Sequence, residues 1–477
     1  MKHFDSGSAN SLSSLPKAVT ASVFRHRGES FYFETPEDRR YNMIEIISKF
    51  FLISTLCLNI WEPISTKALT ITNASSPESR EGKALSLFQV IQFQNGPCST
   101  GGTRNGTCYT SNECTSRGGA SVGSCANGFG ICCAFALGCG DMSSENCTYL
   151  VQSTTSTVVN PCKFTICPAN NDICRLRFDF TTFMINGPIT ASAVSNTALI
   201  GATNAGGAIG DCTTDTFSIT SPRNFAPPVI CGFNTGQHMI VDVSPGNCND
   251  ALFSLRGAGT RNWDIKVTQY ACGDEQAGPD GCLQYFTGLT GTVASFNFPT
   301  NAGILDPSTT HLSNQCQNMC WRQEMNTCGI CWIPVILGSD TITGSFGVST
   351  TAGGNKGRGE TDGKCRGDFL LIPDAQTDVP GVEEDTFIIG SIGSMSRFSD
   401  RLCGRFFSTA NDRGDRRSSR SVCSQQRPFR MTFKTDENEV TETSVGDPPN
   451  SAKTNELNRV PGGIVGFNLQ WTLQSCT

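Results

Sequence analysis

Three stretches of the chain alternate apolar and polar residues with a period of two: Cys174-Arg-Leu-Arg-Phe-Asp-Phe180, Trp263-Asp-Ile-Lys-Val267 and Phe467-Asn-Leu-Gln-Trp-Thr-Leu473. Such alternation sets one side of a strand on a core and the other in water. Helical periodicity is hardly visible after residue 98, and Asn204-Ala-Gly-Gly207 and Asn247-Cys-Asn-Asp250 read as turns between strands. The pattern predicts an all-β fold.

One early segment departs from it. Phe50 to Trp61 is a mostly apolar run of the length of a signal-peptide core, too short to cross a bilayer. It ends near Thr66-Lys67-Ala68, a region suited to cleavage, and a polar stretch precedes it, which makes Met43 a candidate start. A signal-anchor or a buried helix are the alternatives. No second apolar run of spanning length follows, so no stable membrane span is expected. The expected order begins with an N-terminal extension and signal peptide at 1–68 and a linker at 69–97.

Composition strengthens that expectation. The 477 residues include 25 cysteines, a load suited to an oxidising, extracellular compartment. Removal of Cys57 with the leader leaves 24, an even number that can all pair. Candidate glycosylation sites follow at Asn73, Asn105 and Asn146. With 36 basic and 42 acidic residues the net charge is −6, which argues against wholesale nucleic-acid binding. The chain is read as secreted.

Cys98, Cys108, Cys114, Cys125 and Cys132-Cys133 are interleaved with glycines and leave little apolar material for a core. Cross-links must hold this knot, over 98–137. Downstream an internal repeat appears. Cys212-Thr-Thr-Asp215-Thr-Phe217-Ser-Ile219 parallels Cys365-Arg-Gly-Asp368-Phe-Leu370-Leu-Ile372; a Cys-Gly pair follows each, at Cys231-Gly232 and Cys403-Gly404; and each half closes on an alternating strand ending at Cys272 or Cys476.

That ordered set resembles the CUB domain, an extracellular jelly-roll β-sandwich. The resemblance implies two such domains, at 138–272 and 282–477 with a linker at 273–281, and implies disulfides Cys212–Cys231 and Cys365–Cys403. The knot is similar to clip-type modules of arthropod secreted proteins, and the whole resembles an arthropod family of secreted CUB proteins. The fold class expected is all-β and disulfide-rich, a small cystine-rich knot before two sandwiches. The second domain departs from an ordinary CUB domain in its long loops, 373–400 and 435–465, and in the crowded Cys316, Cys320, Cys328 and Cys331, whose pairing stays open. Zinc ligation by those four, or redox chemistry at Cys328-Gly-Ile-Cys331, is set aside in favour of disulfides.

The resemblance also supplies a candidate cofactor. Some CUB domains hold calcium through a Glu, the Asp of the Cys-x-x-Asp strand and an Asp in a late turn, which maps here to Glu360, Asp368 and Asp436. Calcium takes several hard oxygens from separate loops. The first domain has Asp215 but no acid from Thr197 to Gly210, so no site is expected there. Arg366-Gly367-Asp368 is an adhesion-type tripeptide, yet Asp368 stands where the fold asks for Asp, which makes its neighbours incidental. A second triplet, Arg413-Gly414-Asp415, lies in a polar segment between Cys403 and Cys423 and is the candidate adhesion site. The arginines from Arg401 to Arg430 are a candidate surface for a sulfated glycan or an acidic partner; a solvated loop, or a protease-sensitive Arg416-Arg417, is the plainer account.

No His-Glu-x-x-His and no phosphate-binding Gly-x-x-x-x-Gly-Lys occurs, and only His238 and His311 lie in the folded part, with His3 and His26 ahead of the leader. No catalytic residues are expected. The function expected is that of a secreted, non-catalytic protein that recognises an extracellular protein or glycan, with oligomeric state open. The alternatives are a matrix or cuticle component and a non-catalytic regulator of a protease cascade.

Overall fold

The computed structural model describes residues 92–476 apart from 153–158, 191–209, 222–225, 338–343, 349–358, 378–398, 410–418, 438–463 and a few shorter gaps. The leader, Met43, Cys57, Asn73, Arg413-Gly414-Asp415 and Arg416-Arg417 lie outside the described residues.

The knot comprises β1 (Pro97–Ser99), β2 (Asn105–Tyr109), a short helix α1 (Ser111–Ser116), β3 (Ala120–Cys125) and β4 (Gly130–Leu137). Thr110 and Glu113 form a capping box at the start of α1, satisfying two otherwise orphaned N–H groups. Disulfides Cys98–Cys132 and Cys114–Cys133 tie β1 and α1 to β4, and Cys108–Cys125 ties β2 to β3. Glycine is needed where these bonds crowd the backbone: a Cβ on Gly119 would lie 2.2 Å from Cys133 Sγ.

β4 does not end with the knot. After β5 (Met142–Ser143), β6 (Thr148–Val151) pairs with it in parallel, Phe135 opposite Thr148. The knot is therefore the outer end of a sheet that continues from β6 through β12 (Asn262–Ala271) and β8 (Ile173–Met184) to β10 (His238–Asp242), in the order β1-β2-β4-β6-β12-β8-β10 with β3 on β4. Arg104 reaches Asp264 at 3.0 Å, and Tyr109 and Arg117 both reach Glu145, which fastens the two parts side by side.

The first sandwich adds β7 (Cys162–Ile166), β8 (Ile173–Met184), β9 (Asp215–Ile219), β10 (His238–Asp242), β11 (Asn249–Leu255) and β12 (Asn262–Ala271). Its second sheet runs β5-β7-β11-β9. The inward residues of the alternating strands, among them Phe164, Phe178, Phe180, Phe217, Phe253 and Trp263, form one core, with Phe253 stacked on Trp263 at 4.3 Å.

The second sandwich contains β13 (Gln284–Phe286), β14 (Thr290–Ala294), β15 (Cys316–Trp321), β16 (Thr327–Pro334), β17 (Phe346–Gly347), β18 (Gly359–Thr361), β19 (Phe369–Thr377), β20 (Ser399–Gly404), β21 (Val422–Ser424), β22 (Arg430–Lys434) and β23 (Gly466–Ser475). The strand order is β13-β15-β22-β19-β21-β16-β23-β14, with β20 joining β18 to β19 and β17 on β23. β19 belongs to both layers: Phe369 to Leu371 pair with β22, and Gln376 and Thr377 pair with β21. Trp321, Trp332, Trp471, Phe433 and Phe467 fill the space between. The chain is thus all-β and disulfide-rich, with two sandwiches after the knot.

Both sandwiches carry the same two staples. Cys174–Cys272 and Cys328–Cys476 close each at its last strand; Cys212–Cys231 and Cys365–Cys403 hold the Asp-bearing strands. Cys139–Cys162, Cys167–Cys248, Cys282–Cys320 and Cys331–Cys423 complete eleven bonds among the described residues. Cys328 and Cys331 bond to separate partners, so they are not a redox pair. The expectation that all 24 cysteines pair is corrected: Cys147, buried, and Cys316, exposed, are free. They sit on different sandwiches, Cys147 just before β6 and Cys316 at the start of β15, so an even count does not bring them together.

Residues 273–281, read as a linker, are pinned. The Arg175 guanidinium donates to the carbonyls of Ala277, at 3.1 Å, and Pro279, at 2.8 Å, and pairs with Asp242 and Asp280. Beyond them Asn297 of the second sandwich inserts into the turn after Cys231. Its Oδ1 accepts from Phe233 N at 3.2 Å, its own N–H donates to Asn234 Oδ1 at 2.9 Å, and its Nδ2 donates to Thr310 O at 2.8 Å. Gly232, at φ +77°, is required there, because a Cβ would lie 1.7 Å from Asn297 Oδ1.

Candidate functional site

The repeat places one aspartate at the head of the equivalent strand in each sandwich. In the first, Asp215 opens β9 and is fully buried. A buried carboxylate must be paired or give up its charge. Arg261, on the approach to β12, supplies a bidentate partner: Nε to Oδ2 at 2.7 Å and Nη2 to Oδ1 at 2.8 Å. Backbone N–H groups of Asn186, at 2.9 Å, and Arg256, at 3.0 Å, donate to the same carboxylate. Burial raises the Asp215 pKa, but the guanidinium and the two amides outweigh it and hold the carboxyl below its ordinary value. Every oxygen of this site is committed to the chain's own donors.

Asp368 stands just before β19 and is 6% exposed. Here Asp436 N donates to Asp368 Oδ1 at 2.8 Å, the counterpart of the bond from Arg256 N to Asp215. Strand register makes the equivalence firm, since Leu255 lies opposite Asp215 and Lys434 opposite Phe369, so Arg256 and Asp436 occupy one position in the two sandwiches. Counted back from the closing cysteines, Arg261 corresponds to Val465, a buried apolar residue. The second sandwich therefore has a carboxylate where the first has Arg256, and an aliphatic side chain where the first has its pairing arginine.

The Asp436 carboxylate folds back over the Arg366-Gly367-Asp368 segment. A Cβ on Gly367 would lie 2.3 Å from Asp436 Oδ2, so glycine at that position lets the carboxylate approach the backbone. Glu360 lies on β18 opposite Cys403, whose disulfide partner Cys365 begins the Asp368 segment. The side chains of Glu360 and Arg366 are outside the described residues. Cations gather around the ring that follows Asp368: Arg401 lies 4.4 Å and Lys434 5.7 Å from the Phe369 ring centre. Phe369 and Asp368 are consecutive along an extended segment and so point to opposite sides of it.

Asn105 and Asn146 are both exposed. Asn146 Oδ1 accepts from Gln269 N at 2.9 Å and Cys147 N at 2.8 Å, and Thr148 of the same sequon is fully buried. Of the arginine group, Arg401, Arg427 and Arg430 are exposed and Arg420 is half-buried. One Gly-x-Ser-x-Gly string, Gly119-Ala-Ser-Val-Gly123, runs along β3 of the knot rather than over a strand-to-helix turn, and its Ser121 Oγ donates to Gly123 O at 3.4 Å. His238 and His311 are both buried. Among the described residues no cluster of three His, Cys, Asp or Glu side chains has metal-binding geometry.

Residues 279–474, which hold the second sandwich, match the family model of the animal CUB domain. No curated protein matches the chain. A solved structure of the CUB1-EGF-CUB2 domain of human MASP-1/3 is similar at 11% identity over 68% of this chain and 98% of that chain, with a TM-score of 0.18, too low a superposition to bear on function. No helix among the described residues is long and apolar enough to cross a membrane.

Proposed function

We propose that the chain is a secreted, non-catalytic binding protein whose second sandwich recognises an extracellular protein or glycan at the loops around Asp368 and Asp436, with calcium as their organising ion. The observation that carries this reading is that the residue donating its backbone N–H to Asp368 is itself an aspartate, Asp436, where the sister sandwich has Arg256 and, nearby, the Arg261 that pairs Asp215. Two acidic residues linked by a backbone hydrogen bond offer the hard oxygens calcium takes, and Glu360, on β18 opposite Cys403, is the candidate third donor. Asp368 and Asp436 would hold the ion, and the ion would fix the loop that carries them. The CUB match at 279–474 supports an interaction role in the extracellular space, and eleven disulfides suit that compartment.

The test is affinity capture from extracellular fluid with immobilised full-length protein, with calcium and with a chelator, beside Asp368→Asn. The expected result is a partner retained by the wild type in calcium and lost with chelator or with the variant. Equal retention in all three arms would overturn the calcium role, and no retained partner in any arm would overturn recognition at this sandwich.

A further inference from the structure

Two of the four histidines lie among the described residues, and both sit where the sandwiches meet. His238, on edge strand β10, accepts the Tyr285 N–H on Nε2 at 2.9 Å, and its ring meets Phe286 edge-on at 5.1 Å. Ile240 N donates to Leu283 O at 2.7 Å one step along, so β10 is joined to β13 by one backbone bond and one imidazole. His311 packs edge-on against Phe433 at 5.7 Å, and the two residues that follow it reach the first sandwich. Thr310 O receives Asn297 Nδ2, Leu312 enters the first sandwich's core, and Ser313 N donates to Gly210 O at 3.0 Å.

We propose that this junction is an acid-operated latch, closed while His238 and His311 are neutral and opened when they take up protons. The chemistry is local. Nε2 of His238 receives the Tyr285 N–H only as an unprotonated acceptor; once protonated it becomes a donor facing a donor.

The charges around His238 do not welcome another. On β8, Arg177 faces it, and Asp179, directly across from His238, is held by Arg177 Nε at 2.7 Å. From the second sandwich come the Tyr285 phenol and, beyond Phe286, the Arg322–Glu324 pair at 2.8 Å. Around His311 the charged residues of neighbouring turns are Asp211, bonded by Ser313 Oγ, and Asp436, whose carbonyl accepts from Asn314 N. Burial, aided by Arg177, holds the His238 pKa well below its ordinary value, and burial brings that of His311 down to about 4.

The sign follows from these directions. A histidine held low when closed binds its proton more readily when open, so closure is fully favoured at neutral pH and weakens as pH falls below the free value of about 6.5. Each solvated histidine then shifts the equilibrium toward the open form about tenfold per pH unit. Each sandwich stays folded over that range, because its disulfides do not titrate and the Asp215–Arg261 pair persists until the carboxyl is protonated, below about pH 4.

Small-angle scattering of the full-length chain from pH 7.5 to 4.5, with far-ultraviolet circular dichroism in parallel, tests this. The expected result is a reversible increase in radius of gyration below pH 6.5 with the β signal unchanged, weakened in His238→Gln and absent in His238→Gln/His311→Gln. Constant dimensions down to pH 4.5, or the same transition in the double variant, would overturn it. Should the variants misfold, amide exchange at Tyr285 in the wild type decides: protection at pH 7 lost by pH 5, after correction for intrinsic rate, is expected, and retained protection would overturn it.

Discussion

The two sandwiches share a strand plan, two staples and an aspartate at one position, yet treat that aspartate differently. Asp215 is closed off by Arg261 and two backbone amides. Asp368 shares one of those amide bonds, but the residue that supplies it is Asp436. The fold needs an acceptor at the head of this strand, to take an N–H from the loop after the neighbouring strand. What surrounds the acceptor is free to vary: an aspartate, Asp436, stands where the first sandwich has Arg256, and Val465 where it has Arg261. The proposed calcium site would use that difference, since calcium takes hard oxygens that the first sandwich commits to Arg261.

The sharpest break of this comparison is at Arg261. Arg261→Met leaves Asp215 buried without its partner, and stranding one member of a buried pair costs about 3–5 kcal/mol. Denaturant unfolding should show a large loss confined to the first sandwich; a loss below about 1 kcal/mol would mean the pair contributes little.

Acid should separate the sites next. Because the Asp215 carboxyl is held below its ordinary value when folded, the stability it confers is present above the unfolded value of about 4 and lost as pH falls through the lower folded one. The unfolding free energy of the wild type should fall below pH 4 more steeply than that of Arg261→Met; equal slopes would contradict this.

Gly367→Ala sharpens the other side. Its Cβ must displace the Asp436 carboxylate, and overpacking of this kind costs about 1–3 kcal/mol. Since that carboxylate ends a movable side chain, the low end is expected in a thermal melt, together with weakened calcium binding. The smallest effect belongs to Cys316→Ser, within about 0.5 kcal/mol as for exposed surface positions. A thiol reagent on the native protein should label Cys316 and leave buried Cys147 untouched.

The fold was legible where physics is local. Period-two alternation marked β8, β12 and β23, because a strand's two faces are written directly in its residues; of the expected turns, Asn204-Ala-Gly-Gly207 lies outside the described residues, and Asn247-Cys-Asn-Asp250 is not a turn but runs into β11 at Asn249, the turn falling at 245–246. The junction was not legible, since Arg175, His238 and Asn297 act across long chain separations that no pattern in their own neighbourhoods announces. The contrast at the aspartates was half legible: counting back from Cys272 and Cys476 already sets Arg261 against Val465. Nothing in the chain indicates that Arg261 turns towards Asp215, a residue 46 positions earlier. Parity showed that 24 cysteines can pair but could not show that Cys147 and Cys316 lie on different sandwiches.

Calorimetric titration of the full-length chain with calcium is the most direct test of the difference between the two aspartates. The account predicts one site per chain, abolished by Asp368→Asn and by Asp436→Asn and retained in Arg261→Met. Two sites, none, or one that survives both aspartate substitutions would contradict it.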